Sequence, residues 1–321
     1  MINIKFIVSG IPLYSLGKKE ISKSLGKENY KKIKNYTGFD KIHRLKKTQN
    51  TEELIEFTIR KFFKFSKINS KKIDSLLFVS HSRPSEMPIY SATLQNKFNL
   101  KNDIFCFDLP NSCSGFTNGL IHSYSLISSK IVKNVLLVCA DTHSKSVDFE
   151  NKNLLPVIAD GCSCVFIEKD QKNLFKYDFG VDGNNNKALK IESLKNTKKL
   201  QMDGLKVFEF AIKRVPQSIN KAIKKNKMKM NDIDLISFHQ PNKSIHDHLI
   251  KMLQVNKNKI VSSFKFGNTS SPSIPISFSS NFGNKTIINK KALFCGFGAG
   301  FLWSTIITKF KKTKISEVFF L

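Results

Sequence analysis

The chain has 321 residues, of which 40% are hydrophobic and 24% charged, a composition typical of a globular protein with a large buried core. Its 15 glycines, 9 prolines and 6 cysteines exclude a collagen-like, a mucin-like and a disulfide-scaffold protein. The N-terminal segment lacks the pattern of a signal peptide, and no apolar run reaches the roughly 18 residues of a membrane span. We therefore expect a cytoplasmic protein without a membrane span.

The strongly basic charge has two interpretations. Lysine and arginine together number 53 against 25 acidic residues, for a net charge of +28, and only four of the basic residues are arginines. Because lysine and the abundant phenylalanine have A/T-rich codons, a biased genome could explain the excess. The alternative is an electropositive surface that attracts acidic partners, such as phosphates or an acidic carrier protein. No nucleic-acid-binding motif stands out, so nucleic acid is not an expected partner.

Strand-like and helix-like runs alternate along the chain, which indicates an α/β protein. In the first half, strands are predicted over residues 73–82, 104–110 and 133–142, and helices over residues 91–98 and 114–132. In the second half, helices are predicted over residues 206–225 and 246–253, and strands over residues 234–240, 259–266 and a final pair around 290–310. The similar order predicts an internally duplicated fold with halves at 1–170 and 171–321. The tail, residues 311–321, belongs to no predicted element.

The most informative segment is DLPNSCSGFTNGL, residues 108–120, in which Cys113 lies where a strand gives way to a helix. Unpaired N–H groups and the helix dipole at such a position lower the pKa of a cysteine, which favours a nucleophile. A small buried core cysteine is the alternative, and this segment alone leaves both open. Cys162 and Cys164 have no neighbouring ligands that would complete a zinc site, so no metal is expected.

Two further polar residues follow predicted strands in the second half. In SFHQPN, His239 stands at the end of a strand, and in FKFGNTSSPSIP, Asn268 follows a strand and a glycine. Because open α/β sheets bind ligands beyond the carboxyl ends of their strands, both side chains are predicted to face a crevice. The other six histidines lack this context and are assigned to the surface or to packing. The glycine-rich CGFGAGFLW, residues 295–303, could point backbone N–H groups at an oxyanion.

In identity, order and spacing these motifs resemble β-ketoacyl-acyl-carrier-protein synthase III, a family of the thiolase-like superfamily. ADGCSCVFI, residues 159–167, is similar to the family's GDGA-type segment, and YTGFDKIHR, residues 36–44, to its TGI segment. The resemblance covers nearly the whole chain except the tail. It implies two related α/β halves in a five-layered α/β/α/β/α arrangement, a homodimer, and a Cys-His-Asn triad of Cys113, His239 and Asn268.

The resemblance also implies a reaction. Cys113 would accept an acyl group from an acyl-CoA or acyl-carrier thioester, while the backbone N–H groups of Cys113 and Ala299 hold the carbonyl oxygen. His239 and Asn268 would stabilise the enolate that a malonyl thioester forms as CO2 leaves, and no other cofactor is implied. An acyl carrier protein is the implied partner. Met87 and Phe208 are implied to line the acyl pocket, Met87 from across the dimer.

The sequence departs from the family pattern around the expected coenzyme A site. Lys32 stands where the family often has tryptophan, while Tyr36 and Lys152 stand where it has arginine. Near the expected phosphopantetheine phosphate, Ser244 replaces a basic residue, although Lys243 is adjacent. A lysine cannot stack on adenine as tryptophan does, so we expect weak, salt-sensitive binding of coenzyme A and a preference for carrier-linked donors.

Three functions follow in order of preference. The first is a decarboxylative Claisen condensation, either at the start of fatty acid synthesis or in a specialised acyl pathway. The second is an acyltransferase on the same scaffold that passes the acyl group of Cys113 to a hydroxyl or amine. The third is a basic binding protein without enzymatic activity.

Overall fold

The computed structural model describes residues 2–147, 151–170, 176–194 and 197–321. The helices are α1 (Lys18–Leu25), α2 (Lys27–Thr37), α3 (Thr51–Ser66), α4 (Tyr90–Lys97), α5 (Gly115–Ser128), α6 (Gly204–Lys225), α7 (Lys243–Leu253) and α8 (Ser273–Phe282). The strands are β1 (Ile2–Ile11), β2 (Ser15–Leu16), β3 (Ile42–His43), β4 (Ser75–Val79), β5 (Phe105–Leu109), β6 (Asn134–Asp141), β7 (Gly161–Lys169), β8 (Tyr177–Val181), β9 (Leu189–Leu194), β10 (Thr197–Met202), β11 (Leu235–Phe238), β12 (Lys285–Gly298) and β13 (Leu302–Phe320).

The strands form one large mixed sheet and two small antiparallel pairs. The large sheet has the order β11-β12-β13-β1-β7-β6-β4-β5, and β8 also pairs with β13. Strand β4 is parallel to both β5 and β6, and β11 is parallel to β12. The small pairs are β2 with β3 and β9 with β10. Parallel neighbours bring their carboxyl ends to one edge, which is where ligands bind in open α/β sheets.

Three apolar clusters separate the helices into layers. Phe116 of α5 and Phe278 of α8 belong to a central cluster that also takes residues from strands of both halves. Phe62 of α3 belongs to a second cluster, with α4 and the strands of the first half. Ile219 of α6 and Leu249 of α7 belong to a third, with β11, β12 and β13. The predicted five-layered α/β/α/β/α arrangement is therefore confirmed, with α5 and α8 in the middle.

Local sequence explains why the first-half helices form where they do. At the start of α3, the Asn50 side chain accepts a hydrogen bond from the Glu53 N–H, and Glu52 and Glu53 place negative charge in the first turn. Within α5, a Cβ added to Gly119 would lie 2.6 Å from a methyl carbon of Leu137 in β6. Glycine at this position thus lets the central helix pack closely against the sheet.

Most elements predicted from sequence are confirmed, but the strand predicted over residues 259–266 is wrong. Its pairing is a single bridge between Ile236 and Ile260. Further along, the carbonyl groups of Phe264 and Phe266 accept hydrogen bonds from the N–H groups of Asp40 and His43 instead of from a sheet neighbour. The segment is therefore an extended crossover that leads towards Asn268.

The expectation that residues 311–321 belong to no element is also wrong. Strand β13 continues to Phe320 and pairs in parallel with β1, where Ile7 lies opposite Ile315. Thr313 and Ile315 are buried, while Lys312 and Lys314 are exposed, which is the alternation of a half-buried strand. The predicted division at residue 170 falls beside residues 171–175, outside the described residues, and stays a prediction. None of the described helices is long and apolar enough to cross a bilayer.

Candidate active site

A cavity of about 640 Å³ opens beyond the carboxyl ends of β4, β6 and β11. Cys113, His239 and Asn268 all line it, although they come from three separate parts of the chain. Ala299, which follows β12, lines the same cavity. The structure thus brings together the four residues that the sequence placed at one site.

Cys113 lies two residues before α5 and packs against the glycine-rich end of β12. A Cβ added to Gly298 would lie 2.4 Å from the Cβ of Cys113, and one added to Gly296 would lie 2.8 Å from the Cα of Ser114. Any side chain at these positions would displace the cysteine or the start of α5. The glycines of CGFGAGFLW therefore allow the backbone at Ala299 to approach Cys113.

The ionisation of Cys113 differs from the expectation. Burial raises the pKa of the Cys113 thiol to about 11, and the negative charge of Asp141 acts in the same direction. Hydrogen bonds with Ser270 and Ser112 oppose this shift without cancelling it. The expectation of a lowered pKa is therefore wrong, because enclosure by protein outweighs the N–H groups at the start of α5.

His239 follows β11 and is held by its backbone and its ring. Its backbone N–H donates to the carbonyl oxygen of Cys295, and its ring Nδ1 lies 2.9 Å from the hydroxyl oxygen of Ser273. Burial lowers the pKa of His239 to about 3, against the opposing effects of the Asp141 charge and the Ser270 backbone. The imidazole is therefore neutral at physiological pH.

Asn268 is fixed on both its backbone and its side chain. Its N–H donates to the carbonyl of Val157 at 2.8 Å, and its carbonyl accepts from the N–H of Ala159 at 2.9 Å. Its side-chain oxygen accepts a hydrogen bond from the Ser270 N–H at 2.9 Å. The amide NH2 group is thus the part of the side chain left to donate to a ligand.

Ser270 is a site residue that the sequence analysis missed. Its hydroxyl oxygen lies 3.7 Å from the sulfur of Cys113, and its backbone has a left-handed φ of 62°. Next to it, the Ser271 N–H donates to the carboxylate of Asp141 at 3.0 Å. The cluster of small residues before Pro272 indicated a tight loop, but nothing in the sequence indicated its contact with Cys113.

His81 and His143, which the sequence analysis assigned to the surface or to packing, also line the cavity, His81 as an exposed and His143 as a buried residue. Each lies two residues after one of the parallel strands β4 and β6, a context similar to the one that singled out His239. The His81 N–H donates to the carboxylate of Asp141, and the ring Nε2 of His143 lies 3.6 Å from the same oxygen. Asp141 thus ties both histidines to the loop that carries Asn268.

The residues implied to bind substrate lie outside the lining of this cavity. The side chain of Met87 is 91% exposed, and the ring of Phe208 packs edge-on against His248. On the surface lie three exposed lysines and a half-exposed tyrosine, namely Lys32, Lys152, Lys243 and Tyr36. Helices α2 and α7, which carry three of them, contact each other. Their roles in binding stay predictions.

The two motif segments that matched the family in the first half pack together. The Leu45 N–H donates to the buried carboxylate of Asp160 at 2.8 Å, and the Asp160 N–H donates to the carbonyl of His43. Arg44 donates to the carbonyl oxygens of Leu155 and Ile158. These contacts hold the segment beside Asn268 in place.

Comparisons with known proteins bear on the family of this chain. The family model described as 3-oxoacyl-[acyl-carrier-protein (ACP)] synthase III matches residues 107–183, and the model of its C-terminal part matches residues 223–310. Beta-ketoacyl-[acyl-carrier-protein] synthase III of Streptococcus agalactiae is 30% identical, covering 86% of this chain and 90% of that protein. The same enzyme of Clostridium tetani is 28% identical, covering 93% and 95%.

The fold also matches solved structures. The crystal structure of 3-oxoacyl-(acyl-carrier protein) synthase from Burkholderia xenovorans superposes with a TM-score of 0.92 at 20% identity, covering 100% of this chain and 97% of that one. Together, the family models and the sequence relatives lead to one conclusion. The chain belongs to the 3-oxoacyl-[acyl-carrier-protein] synthase III family.

Proposed function

We propose that the protein catalyses the decarboxylative Claisen condensation of a Cys113-bound acyl group with a malonyl thioester. The observation that carries this proposal is that Cys113, His239 and Asn268 line one cavity. A nucleophilic thiol alone would serve any acyl transfer. An imidazole and an amide placed beside it supply two donors for a second carbonyl oxygen, as an enolate requires.

In the first half-reaction the sulfur of Cys113 attacks the carbonyl carbon of an acyl thioester. The bond from that carbon to the donor sulfur breaks, and the proton of Cys113 leaves with the departing thiol. The backbone N–H groups of Cys113 and Ala299 stabilise the oxyanion, and Gly298 allows them to lie close together. The product is an acyl-enzyme and a free thiol.

In the second half-reaction the malonyl thioester loses CO2, and the electron pair of the broken C–C bond forms an enolate. The NH2 group of Asn268 and the Nε2–H of neutral His239 donate to its oxygen. The carbanion then attacks the acyl carbonyl on Cys113, the C–S bond breaks, and the thiolate is reprotonated. The product is a 3-oxoacyl thioester.

We further propose that the protein acts as a homodimer. Strand β5 lies at the edge of the large sheet, and its outward side chains Phe105 and Phe107 are 43% and 37% exposed. The loop before α4 exposes Met87 and Ile89 as well. Apolar side chains on a free sheet edge favour pairing with a second copy. In such a dimer Met87 would be able to reach the partner's acyl pocket.

We propose that the donor partner is an acyl carrier protein. We also propose that the protein acts in the cytoplasm. A net charge of +28 attracts an acidic carrier, and long-range attraction of this kind speeds association. The cysteines are free thiols, and a nucleophile such as Cys113 needs reducing conditions. The acyltransferase alternative shares the first half-reaction, but it gives Asn268 no enolate to stabilise.

The test is to measure the acyl-enzyme by mass spectrometry and CO2 release from labelled malonyl thioester in parallel. Cys113→Ser should lose both acyl-enzyme formation and CO2 release. Cys106→Ser, a change at a half-buried cysteine outside the cavity, should retain both activities. Asn268→Ala should still form the acyl-enzyme but lose CO2 release by about 10²- to 10³-fold, the usual cost of one oxyanion donor. If Asn268→Ala slows both half-reactions equally, or slows neither, the acyltransferase activity would be favoured over the condensation.

A further inference from the structure

The cavity beside Cys113 has two walls of different chemistry. The β9 and β10 hairpin contributes the apolar side chains of Leu189, Ile191, Leu200 and Met202. The loops after β4 and β6 and the start of α3 contribute polar side chains, which we name the polar wall: Thr51, His81, Ser82, Arg83, Thr142 and His143. An acyl group on Cys113 must lie in this cavity, so the polar wall bears on which acyl groups fit.

The polar wall is held by its own hydrogen bonds. The hydroxyl oxygens of Thr51 and Thr142 lie 2.6 Å apart, and the Thr142 N–H donates to the hydroxyl of Ser82 at 2.7 Å. The Ser82 N–H in turn donates to the hydroxyl of Ser80 at 3.0 Å. These contacts join three elements, so the polar groups are preorganised before any ligand binds.

Arg83 brings to this wall a positive charge whose hydrogen-bond donors are not occupied by any described residue. Its guanidinium makes no ion pair or hydrogen bond with any residue that the structure describes. Among the described residues that line the cavity, none is an aspartate or glutamate. The neighbouring Lys145 also lines the cavity, but its ammonium group donates to the carbonyls of Lys46 and Gln49, so its donors are occupied although its charge is not neutralised. Behind the wall, the carboxylate of Asp141 already accepts the N–H groups of His81 and Ser271.

We propose that the acyl group which Cys113 accepts ends in a carboxylate, as in a dicarboxylic acid monothioester, and that Arg83 determines this specificity. The inference rests on the proposed function, because it concerns the acyl group of the same Cys113. A carboxylate would pair with the half-buried Arg83 guanidinium through charge-assisted hydrogen bonds and could also accept from the wall hydroxyls. A methyl-terminated chain would instead cover these polar groups without satisfying them.

The experiment compares acyl donors of equal carbon number on the full-length protein. Initial rates of Cys113 acylation are measured by intact-protein mass spectrometry with succinyl-CoA against butyryl-CoA, and with glutaryl-CoA against pentanoyl-CoA. A charge-assisted contact predicts that the carboxylate-bearing donor of each pair is faster by roughly 10- to 100-fold. A third donor, 3-hydroxybutyryl-CoA, tests for a polar group without charge. If 3-hydroxybutyryl-CoA acylates Cys113 faster than succinyl-CoA does, the proposal fails.

Arg83→Met keeps a side chain of similar length and removes the charge. We expect the ratio of succinyl to butyryl acylation to fall by roughly 10-fold or more, and Arg83→Lys to restore part of it. The matched control is Arg60→Met, at an exposed arginine on α3 outside the cavity, and it should leave the ratio unchanged. If Arg83→Met leaves the ratio unchanged while light scattering shows a weakened dimer, Arg83 serves the subunit contact and the proposal is overturned.

The donor panel also separates this inference from the proposed function. If butyryl-CoA acylates Cys113 as fast as succinyl-CoA, only the carboxylate specificity is wrong. If no donor acylates Cys113, whether the acyl group is carried by coenzyme A or by an acyl carrier protein, while iodoacetamide still modifies the thiol, the proposed function fails and the inference falls with it.

Discussion

The ring Nδ1 of His239 lies 2.9 Å from the hydroxyl oxygen of Ser273, the first residue of α8. With the hydroxyl donating to Nδ1, the ring proton sits on Nε2, the nitrogen that must donate to a substrate oxygen. The low pKa of His239 keeps the ring neutral, so the choice between the two nitrogens depends on this contact. Ser273 is therefore a positioning residue that acts through His239.

Replacing Ser273 by alanine should affect decarboxylation more than acylation. Without the hydroxyl the tautomer and orientation of His239 are no longer held, and the loss of one neutral hydrogen bond corresponds to about 3- to 10-fold in CO2 release. Ser279→Ala is the matched control, because Ser279 is buried on the same helix and its hydroxyl contacts Ser9 instead. Equal effects of the two substitutions would show that Ser273 has only a structural role.

Modification of Cys113 should rise steeply with pH. With the thiol pKa raised to about 11, only a small fraction is thiolate at neutral pH, and that fraction grows about tenfold for each pH unit below the pKa. We expect the rate of iodoacetamide modification of Cys113 to increase through pH 9 without a plateau. Peptide mapping by mass spectrometry measures it site by site. A plateau below pH 8 would mean a thiol pKa lowered by α5, contrary to the burial argument.

Gly298→Ala should disable the nucleophile while leaving the fold intact. The added methyl group would lie 2.4 Å from the Cβ of Cys113, so either the cysteine or the turn that carries Ala299 must move. A displacement of about 1 Å at reacting groups can cost about 10²-fold in rate. The control is Gly183→Ala, where an added Cβ meets nothing within 4 Å. Acylation rates and thermal unfolding together distinguish a misplaced nucleophile from an unfolded protein.

Ile315→Ala should destabilise the protein, because the C-terminal part of β13 belongs to the core. Ile315 is fully buried in the central cluster, and truncation of such a side chain costs about 2–5 kcal/mol. The neighbouring Lys314 is exposed on the same strand, so Lys314→Ala should change the free energy of unfolding by about 0.5 kcal/mol or less. Urea denaturation gives both values. Equal stability of the two variants would contradict the burial of this strand.

Binding of coenzyme A should be weak and sensitive to salt. Lys32 is exposed on α2 and offers charge without an aromatic surface for adenine. Exposed charges are screened over about 10 Å at 0.1 M ionic strength and over about 3 Å at 1 M. The affinity measured by calorimetry should therefore fall several-fold as the salt concentration is raised. Lys32→Ala should weaken binding more than Lys229→Ala, a change at an exposed lysine that does not line the cavity. Tight binding that survives about 0.5 M salt would contradict the prediction.

The sequence by itself determined the positions from which the site is built. His239 and Asn268 were recognised because polar residues that follow strands of an α/β sheet face a common crevice, and both line the cavity with Cys113. The same rule applied to His81 and His143 would have found them too, since each lies two residues after the end of its strand, β4 or β6. Their surroundings in the sequence lacked a family motif, so they were assigned to packing.

Only the tertiary structure decided the ionisation of Cys113, the polar wall around Arg83 and the place of the C-terminal tail. The position of Cys113 before a helix predicted a lowered pKa, but the sign of the shift depends on how much protein encloses the thiol. The charge of Arg83 has no carboxylate beside it in the cavity, because none of the described side chains that line the cavity is acidic. Strand β13 pairs with β1 at the opposite end of the chain. Desolvation, charge balance and parallel pairing all depend on neighbours far apart in sequence, and local patterns do not encode them.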